Sequence, residues 1–311
     1  MESFIASAAS FRSVWNDLDH NLEKISESAI RAANDNARLL LLPECCLTGA
    51  DWPTGVKTPS LESVAVTTNS PAMDRVHSIA QSTGLFLSVG FYETHDGRLS
   101  VSQALIGPNG IAGVYRKVHE GRYSSCDADL FPVFDIGFAR IGTSICYDNM
   151  FPECSRILAL KGADVVLSPF TSLPFSRAMW RQMRLVALRA RAQDNRLFIL
   201  SASHAMERRA DKADEWGYSG ICCAIDPLGR VIAESKGVAG KSQRIVVELD
   251  ERMRRTYFIG DVPALRNRRP EDYRELVDSD IQKKYMMSAP VFKYNDSETT
   301  QTVDERRDIP N

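Results

Sequence analysis

The chain has 311 residues, 44% hydrophobic and 25% charged, with 38 basic against 40 acidic side chains and a formal net charge of −2. That length and apolar content can bury a large core as one α/β domain, alone or with an arm. The balanced, well-mixed charge offers no basic field to phosphate backbones or to an anionic bilayer, so nucleic acid and membranes are not expected partners.

Met1-Glu-Ser-Phe-Ile-Ala-Ser7 lacks a basic leader and alternates like a strand, so no secretion signal is expected. The longest apolar runs, around Leu39–Leu42 and Val165–Leu167, fall far short of the ~18 residues that suggest a membrane span. Seven cysteines form an odd set, and Cys45-Cys46 and Cys222-Cys223 are sequence neighbours. There is no Cys-x-x-Cys pair and no His at metal-ligand spacing from a Cys, so reduced thiols in a cytoplasmic setting, with no metal, are expected.

In chain order, Phe4–Phe11 reads as a strand and Asp19–Ala33 as a helix, with Leu22, Ile25, Ala29 and Ala33 on one face. Ala37–Leu42 is continuously apolar and stopped by Pro43, the pattern of a strand buried on both faces, which puts Glu44 just beyond a central strand. Ser70-Pro71 opens a helix that Gly84 closes. Leu85–Tyr92, Leu99–Gly107 and Ile111–Arg116 form a meander with turns at His95-Asp-Gly97 and Pro108-Asn-Gly110, leaving Lys117 at the end of the last strand.

Ala139–Ile145 is a strand, Pro152–Lys161 a helix and Asp164–Ser168 a strand, so Cys146 stands at a strand-to-helix junction. A helix over about Arg177–Asp194 precedes strands near Leu197–Ala202, Gly220–Ile225, Arg230–Glu234 and Arg244–Leu249. Trp180, with Met183 and Val186 or Ala187 at helical spacing, reads as core. The arginines at 177, 181, 184, 189 and 191 read as a solvated or oligomer-facing surface. The polar stretch from Asn295 reads as an arm or disorder.

A free thiol with pKa about 8.5 is only a few per cent thiolate at neutral pH, so a cysteine nucleophile needs a base or a neighbouring cation. Glu44, Lys117 and Cys146 each follow a strand, and an open α/β sheet gathers such positions into one crevice. Singly, each has a plainer reading: a surface carboxylate, a solvated strand end, a small buried hydrophobe.

Read in their frames, Leu-Leu-Leu-Leu-Pro-Glu44, Tyr115-Arg-Lys117-Val-His and Gly142-Thr-Ser-Ile-Cys146-Tyr-Asp-Asn-Met-Phe-Pro-Glu153 resemble the three catalytic blocks of the nitrilase superfamily of carbon–nitrogen hydrolases. The resemblance runs from about Phe4 to Tyr273. It implies an α/β fold, a four-layer αββα sandwich, over residues 1–275 with a polar arm at 276–311. It also implies a homo-oligomer, dimeric or larger, that needs no cofactor. Glu44 would be the general base and Cys146 the nucleophile, with Lys117 and the Tyr147 backbone N–H holding the oxyanion.

Glu120, in Glu120-Gly-Arg-Tyr123, resembles the second glutamate of many members; the alternative is a solvated loop acid. Cys146-Tyr147-Asp148 is similar to the amidase-type branches, whereas nitrilases proper carry Cys-Trp-Glu, so a small-molecule amide or N-carbamoyl amine is the implied substrate. D-carbamoylases place two arginines where Asn149-Met150 stand here, so a neutral or cationic substrate is expected. Asn149, Phe170 and Thr171 are candidate pocket residues, and Val56–Ser70 and Ser203–Trp216 candidate lids. The alternatives are a nitrilase and a non-catalytic scaffold of the same fold.

Overall fold

A computed structural model describes residues 1–50, 60–119, 130–171, 180–205, 220–237, 241–255, 265, 267–281 and 283. Two six-stranded mixed sheets carry the fold, in the orders β12-β1-β2-β3-β4-β5 and β11-β10-β9-β8-β7-β6. The first contains β1 Phe4–Ser10, β2 Leu39–Leu41, β3 Phe86–His95, β4 Arg98–Gly107, β5 Gly110–Arg116 and β12 Gln243–Leu249. The second contains β6 Val133–Asp135, β7 Arg140–Thr143, β8 Val165–Phe170, β9 Phe198–Ser203, β10 Cys222–Ile225 and β11 Val231–Glu234.

Strand alternation builds the layers, because successive side chains point to opposite faces. Leu39 and Leu41 point into a core shared with Ile141, Val165, Leu167 and Leu200 of the second sheet. Leu40 and Leu42 point the other way, toward Leu22, Ile25, Val76 and Ala80 on α1 Leu18–Asn34 and on a shorter helix, Pro71–Thr83. On the far side, Val166, Ile199 and Ile225 pack with Cys154, Leu158, Leu188 and Ala192 from the helices Pro152–Leu160 and Val186–Asn195. The result is helix, sheet, sheet, helix, the αββα sandwich the motifs implied.

Local signals set the Pro71–Thr83 helix: the Ser70 hydroxyl accepts from the Met73 N–H, Pro71 opens the first turn, and Gly84 closes it in the left-handed region. The expected helix over 177–194 differs from its reading. Among the described residues it begins at Trp180, passes through a single π-helical turn, Arg181–Leu185, and only then becomes the α-helix Val186–Asn195. Trp180 and Leu185, five apart, are both buried, whereas Met183 and Val186 are exposed, against expectation. The wider turn adds a residue and moves the inward face onto Leu185, Leu188 and Ala192.

The chain divides into two compact units, Met1–Leu265 and Arg266–Asn311, with the boundary ahead of residue 275. The described part of the second unit holds two short 3₁₀ turns, Pro270–Asp272 and Arg274–Val277. No helix among the described residues is long and apolar enough to cross a membrane.

Candidate active site

β1, β2 and β3 run parallel, and the antiparallel steps to β4 and β5 return β5 to the same direction. Residues just past β2 and β5 therefore lie on one edge of the sheet, which is how Glu44 and Lys117 meet across 73 positions. Lys117 Nζ donates to Glu44 Oε1 at 2.9 Å. The other carboxylate oxygen, Oε2, accepts the Thr171 backbone N–H from the end of β8 at 2.7 Å. Glu44 also accepts through its backbone carbonyl, from His204 Nε2 at 2.5 Å, just beyond β9. Both sheets thus hold one carboxylate.

The turn after β2 depends on a close approach. Cys45 adopts a left-handed φ of 55°, and the turn rests on Gly90 of β3, where a Cβ would lie 2.4 Å from the Cys45 N and 2.6 Å from the Pro43 O. Only a residue without a side chain lets the two backbones approach this closely.

Cys146 follows β7 and opens a 3₁₀ turn, Cys146–Met150, with a φ of 47°. A left-handed conformation at a residue other than glycine costs about 1–2 kcal/mol and persists only where the surroundings impose it. Here Asp148 and Asn149 impose it. Asp148 Oδ2 accepts from the Ile145 N–H at 3.1 Å and the Tyr115 hydroxyl at 2.7 Å, while Oδ1 accepts from the His119 N–H at 2.9 Å. Asn149 Nδ2 donates to the Ser144 and Cys146 carbonyls at 2.8 and 3.1 Å, and its Oδ1 accepts from Ser168 at 2.9 Å. Both ends of the Asn149 amide are thus committed within and beside the turn, and the residue is 3% exposed.

Of the six described cysteines, Cys146 alone is not fully buried. Burial raises its thiol pKa first and the Glu44 carboxylate adds to this, while Arg184 and Lys117 oppose the rise. A raised thiol pKa favours the neutral SH form, so attack requires a base, and Glu44 is close enough to act on it electrostatically. Burial pushes Cys46 and Cys223 up to about 12 and Cys45 well upward too, which leaves them inert at neutral pH.

Glu120 lies outside the described residues, as do residues 56–59 of the first lid segment and 206–216 of the second; the described part of the first forms a short helix, Leu61–Val64, and a bridge from Val66 to Glu93 of β3. Phe170 is buried, with the Arg184 guanidinium 4.4 Å from its ring centroid, and Thr171 meets Glu44 through its backbone. Tyr147 directly follows the thiol, its ring exposed and edge-on to Phe151. Two residues bearing on the site were not anticipated. His204 carries no sequence signal, and Arg184, read as surface, sits with Nη1 3.8 Å from Cys146 Sγ. A potential metal-ligand group, His119, Asp148 and Cys154, lies within 4.8 Å, although sequence spacing put no His near a Cys. The His119 ring stands 2.9 Å from Asp148 Oδ1, so this carboxylate already serves His119, Tyr115 and Ile145.

The profile of the carbon–nitrogen hydrolase family matches residues 5–257. A nitrilase of Pyrococcus abyssi is 28% identical over 82% of this chain and 93% of its own length. An (R)-stereoselective amidase from a Pseudomonas species is 32% identical over 75% of this chain and 80% of its own. Among solved structures, an amidase from a Nesterenkonia species superposes with a TM-score of 0.70 at 22% identity, covering 88% of this chain and 96% of that one.

Proposed function

The chain belongs to the carbon–nitrogen hydrolase family; from that premise we propose a cysteine-dependent hydrolase, its residue roles and a substrate class. Cys146 is the nucleophile, Glu44 the general base, and Lys117 with the Tyr147 backbone N–H the oxyanion site. The observation that carries this is the Glu44 carboxylate, bonded to Lys117 and to the Thr171 N–H beside a thiol that burial keeps protonated.

Glu44 takes the thiol proton as sulfur attacks the carbonyl carbon. Lys117 and the Tyr147 N–H neutralise the oxygen that becomes negative, where fixed donors are most effective. The tetrahedral intermediate collapses, the carbon–nitrogen bond breaks, and the proton held by Glu44 leaves with ammonia. Water, deprotonated by Glu44, then hydrolyses the thioester to a carboxylic acid and returns the thiol. Glu120 orients the substrate nitrogen, and no cofactor takes part.

The substrate is a linear carboxamide or N-carbamoyl amine, a reading supported by Tyr147-Asp148 after the nucleophile. The enzyme acts as a homo-oligomer in the cytoplasm, a placement that the six unpaired thiols among the described residues support. A panel of carboxamides, N-carbamoyl amines and nitriles tests the class. Ammonia with a carboxylic acid marks an amide, and ammonia with carbon dioxide a carbamoyl compound. Turnover of nitriles alone would favour the nitrilase reading, and activity lost to EDTA and regained with zinc would overturn the thiol mechanism.

A further inference from the structure

We propose that His119, Asp148 and Cys154 form an inhibitory site for a thiophilic divalent cation of zinc's class, with one ligand drawn from the turn that carries the nucleophile. The proposal rests on the amidohydrolase reading above and adds a regulation of that site.

Asp148 is wholly buried, and its partners are the Tyr115 hydroxyl, the Ile145 and His119 backbone N–H groups and the His119 ring. No lysine or arginine among the described residues is bonded to it. Buried charges are paired or coordinate metals. His119 Nδ1 lies 2.9 Å from Asp148 Oδ1, and Cys154 Sγ stands 3.7 Å from the same nitrogen. Protonating His119 would match the carboxylate, yet it would leave the Cys154 sulfur only the part of a weak acceptor. A cation at this point meets sulfur, nitrogen and oxygen together. The 35 positions between His119 and Cys154 hide the group from any reading of local spacing.

The three donor atoms lie within 4.8 Å of one another. Zinc holds sulfur at about 2.3 Å and nitrogen or oxygen at about 2.0–2.2 Å, so its tetrahedral ligands stand roughly 3.3–3.6 Å apart, close to the spacing already present. Thiolate with imidazole selects zinc and its soft neighbours over magnesium or calcium. Three protein ligands leave the fourth corner to water, as suits an ion that exchanges. The His119 side chain is 31% exposed, which gives the ion a way in, while Phe151 stacks on its ring at 3.8 Å and fixes the ring plane. Cys154 is third in the helix Pro152–Leu160, whose N-terminus favours a thiolate. On binding, the thiol proton goes to solvent and the imidazole carries its proton on Nε2.

Occupation disturbs the nucleophile turn. Nδ1 and Oδ1, now 2.9 Å apart, must separate by roughly 0.4 Å or more to sit around zinc. His119 is braced by Phe151, so Asp148 yields. Its other oxygen accepts the Ile145 N–H, directly before the left-handed Cys146, so the displacement reaches the thiol and the N–H of Tyr147.

Zinc binding is measured by equilibrium dialysis on Cys146→Ala, which removes the nucleophile thiol as a competing ligand, and on the same chain with Cys154→Ala added. One zinc per chain is expected on the first, and Cys154→Ala should weaken it by at least the roughly 10- to 100-fold that loss of a ligand's outer partner costs. Cobalt(II) used as the probe should show thiolate charge transfer in the near ultraviolet, which Cys154→Ala abolishes. In the active chain, zinc should slow amide turnover by on the order of 10-fold, less than the 10²-fold that a 1 Å misplacement can cost. EDTA should restore the rate and magnesium should leave it unchanged. Cys154→Ala should keep its basal rate and escape inhibition. Cys154→Ser keeps the size of the side chain and replaces it should the alanine variant fold poorly, and the ratio of rates with and without zinc on one preparation does not depend on the folded fraction. Zinc bound equally after loss of Cys154, equal inhibition of wild type and Cys154→Ala, or one zinc bound with turnover unchanged each overturns the proposal. Failure of the underlying reading looks different: no amide or N-carbamoyl amine is turned over, or EDTA removes activity that zinc restores, while the cobalt spectrum and its loss in Cys154→Ala can still be read.

Discussion

Lys117 Nζ meets Glu44 Oε1 at 2.9 Å with both side chains almost wholly withdrawn from water, 7% and 3% exposed. The proposed base and the proposed oxyanion cation are therefore one buried pair, and removing Lys117 leaves the buried Glu44 carboxylate without its cation. Burying an unmatched charge costs several kcal/mol, whereas removing both charges at similar volume is often close to neutral.

Lys117→Met is accordingly expected to lower turnover by about 10²- to 10³-fold, as for a lost oxyanion donor. It should also lower unfolding stability by about 3–5 kcal/mol, because Glu44 is left unpaired. Adding Glu44→Gln should restore much of that stability and none of the activity. Urea midpoints for both single variants and the double variant decide this; additive losses would mean the pair is not energetically coupled.

The raised thiol pKa of Cys146 predicts opposite effects on turnover and alkylation. Iodoacetamide should inactivate with one-to-one labelling at Cys146, with an alkylation midpoint above the ordinary value of about 8.5. Glu44→Gln removes the carboxylate that disfavours the thiolate, so its midpoint should fall and alkylation at neutral pH quicken while turnover drops. Inactivation that tracks labelling of Cys45 or Cys126, with Cys146 labelling harmless, would refute the nucleophile assignment.

Gly90→Ala places a methyl group 2.4 Å from the Cys45 N and 2.6 Å from the Pro43 O, both backbone atoms of the Glu44 turn. Overpacking of this kind costs about 1–3 kcal/mol. Displacing the base should reduce kcat further, on the order of 10- to 100-fold. Thermal unfolding and kcat measured together test it, and a variant with unchanged kcat would show that the turn tolerates the shift.

His204 carries a pH signature. Nε2 donates to the Glu44 carbonyl, Ser13 Oγ lies 3.2 Å from Nδ1, and burial lowers the pKa from its ordinary 6.5. Above pH 6.5 folded and unfolded chains both hold it neutral, so it adds no pH dependence. Below 6.5 the unfolded chain binds a proton that the folded chain refuses, so stability falls as pH falls toward the folded pKa, by at most about 1.4 kcal/mol per unit. His204→Gln should be less stable at pH 7.5 and should lose less than wild type on going to pH 5.5. Equal losses in urea midpoint would exclude His204 as the titrating group.

Much of this protein was legible along the chain because the determining patterns are local. The unbroken apolar run before Pro43 announces a strand buried on both faces. Ser70-Pro71 and Gly84 mark a helix by capping chemistry, and the frames around Glu44, Lys117 and Cys146 carry the family resemblance. Tertiary structure decided what holds those three groups. The Thr171 N–H and the His204 ring reach Glu44 across 127 and 160 positions, and Tyr115 reaches Asp148 across 33. Such contacts follow from which strand ends two sheets bring to one edge, a property that no window of sequence contains. Arg184 is the sharpest case. A regular helical period reads it as one of five surface arginines, but a single added residue in a π-helical turn rotates it onto the nucleophile.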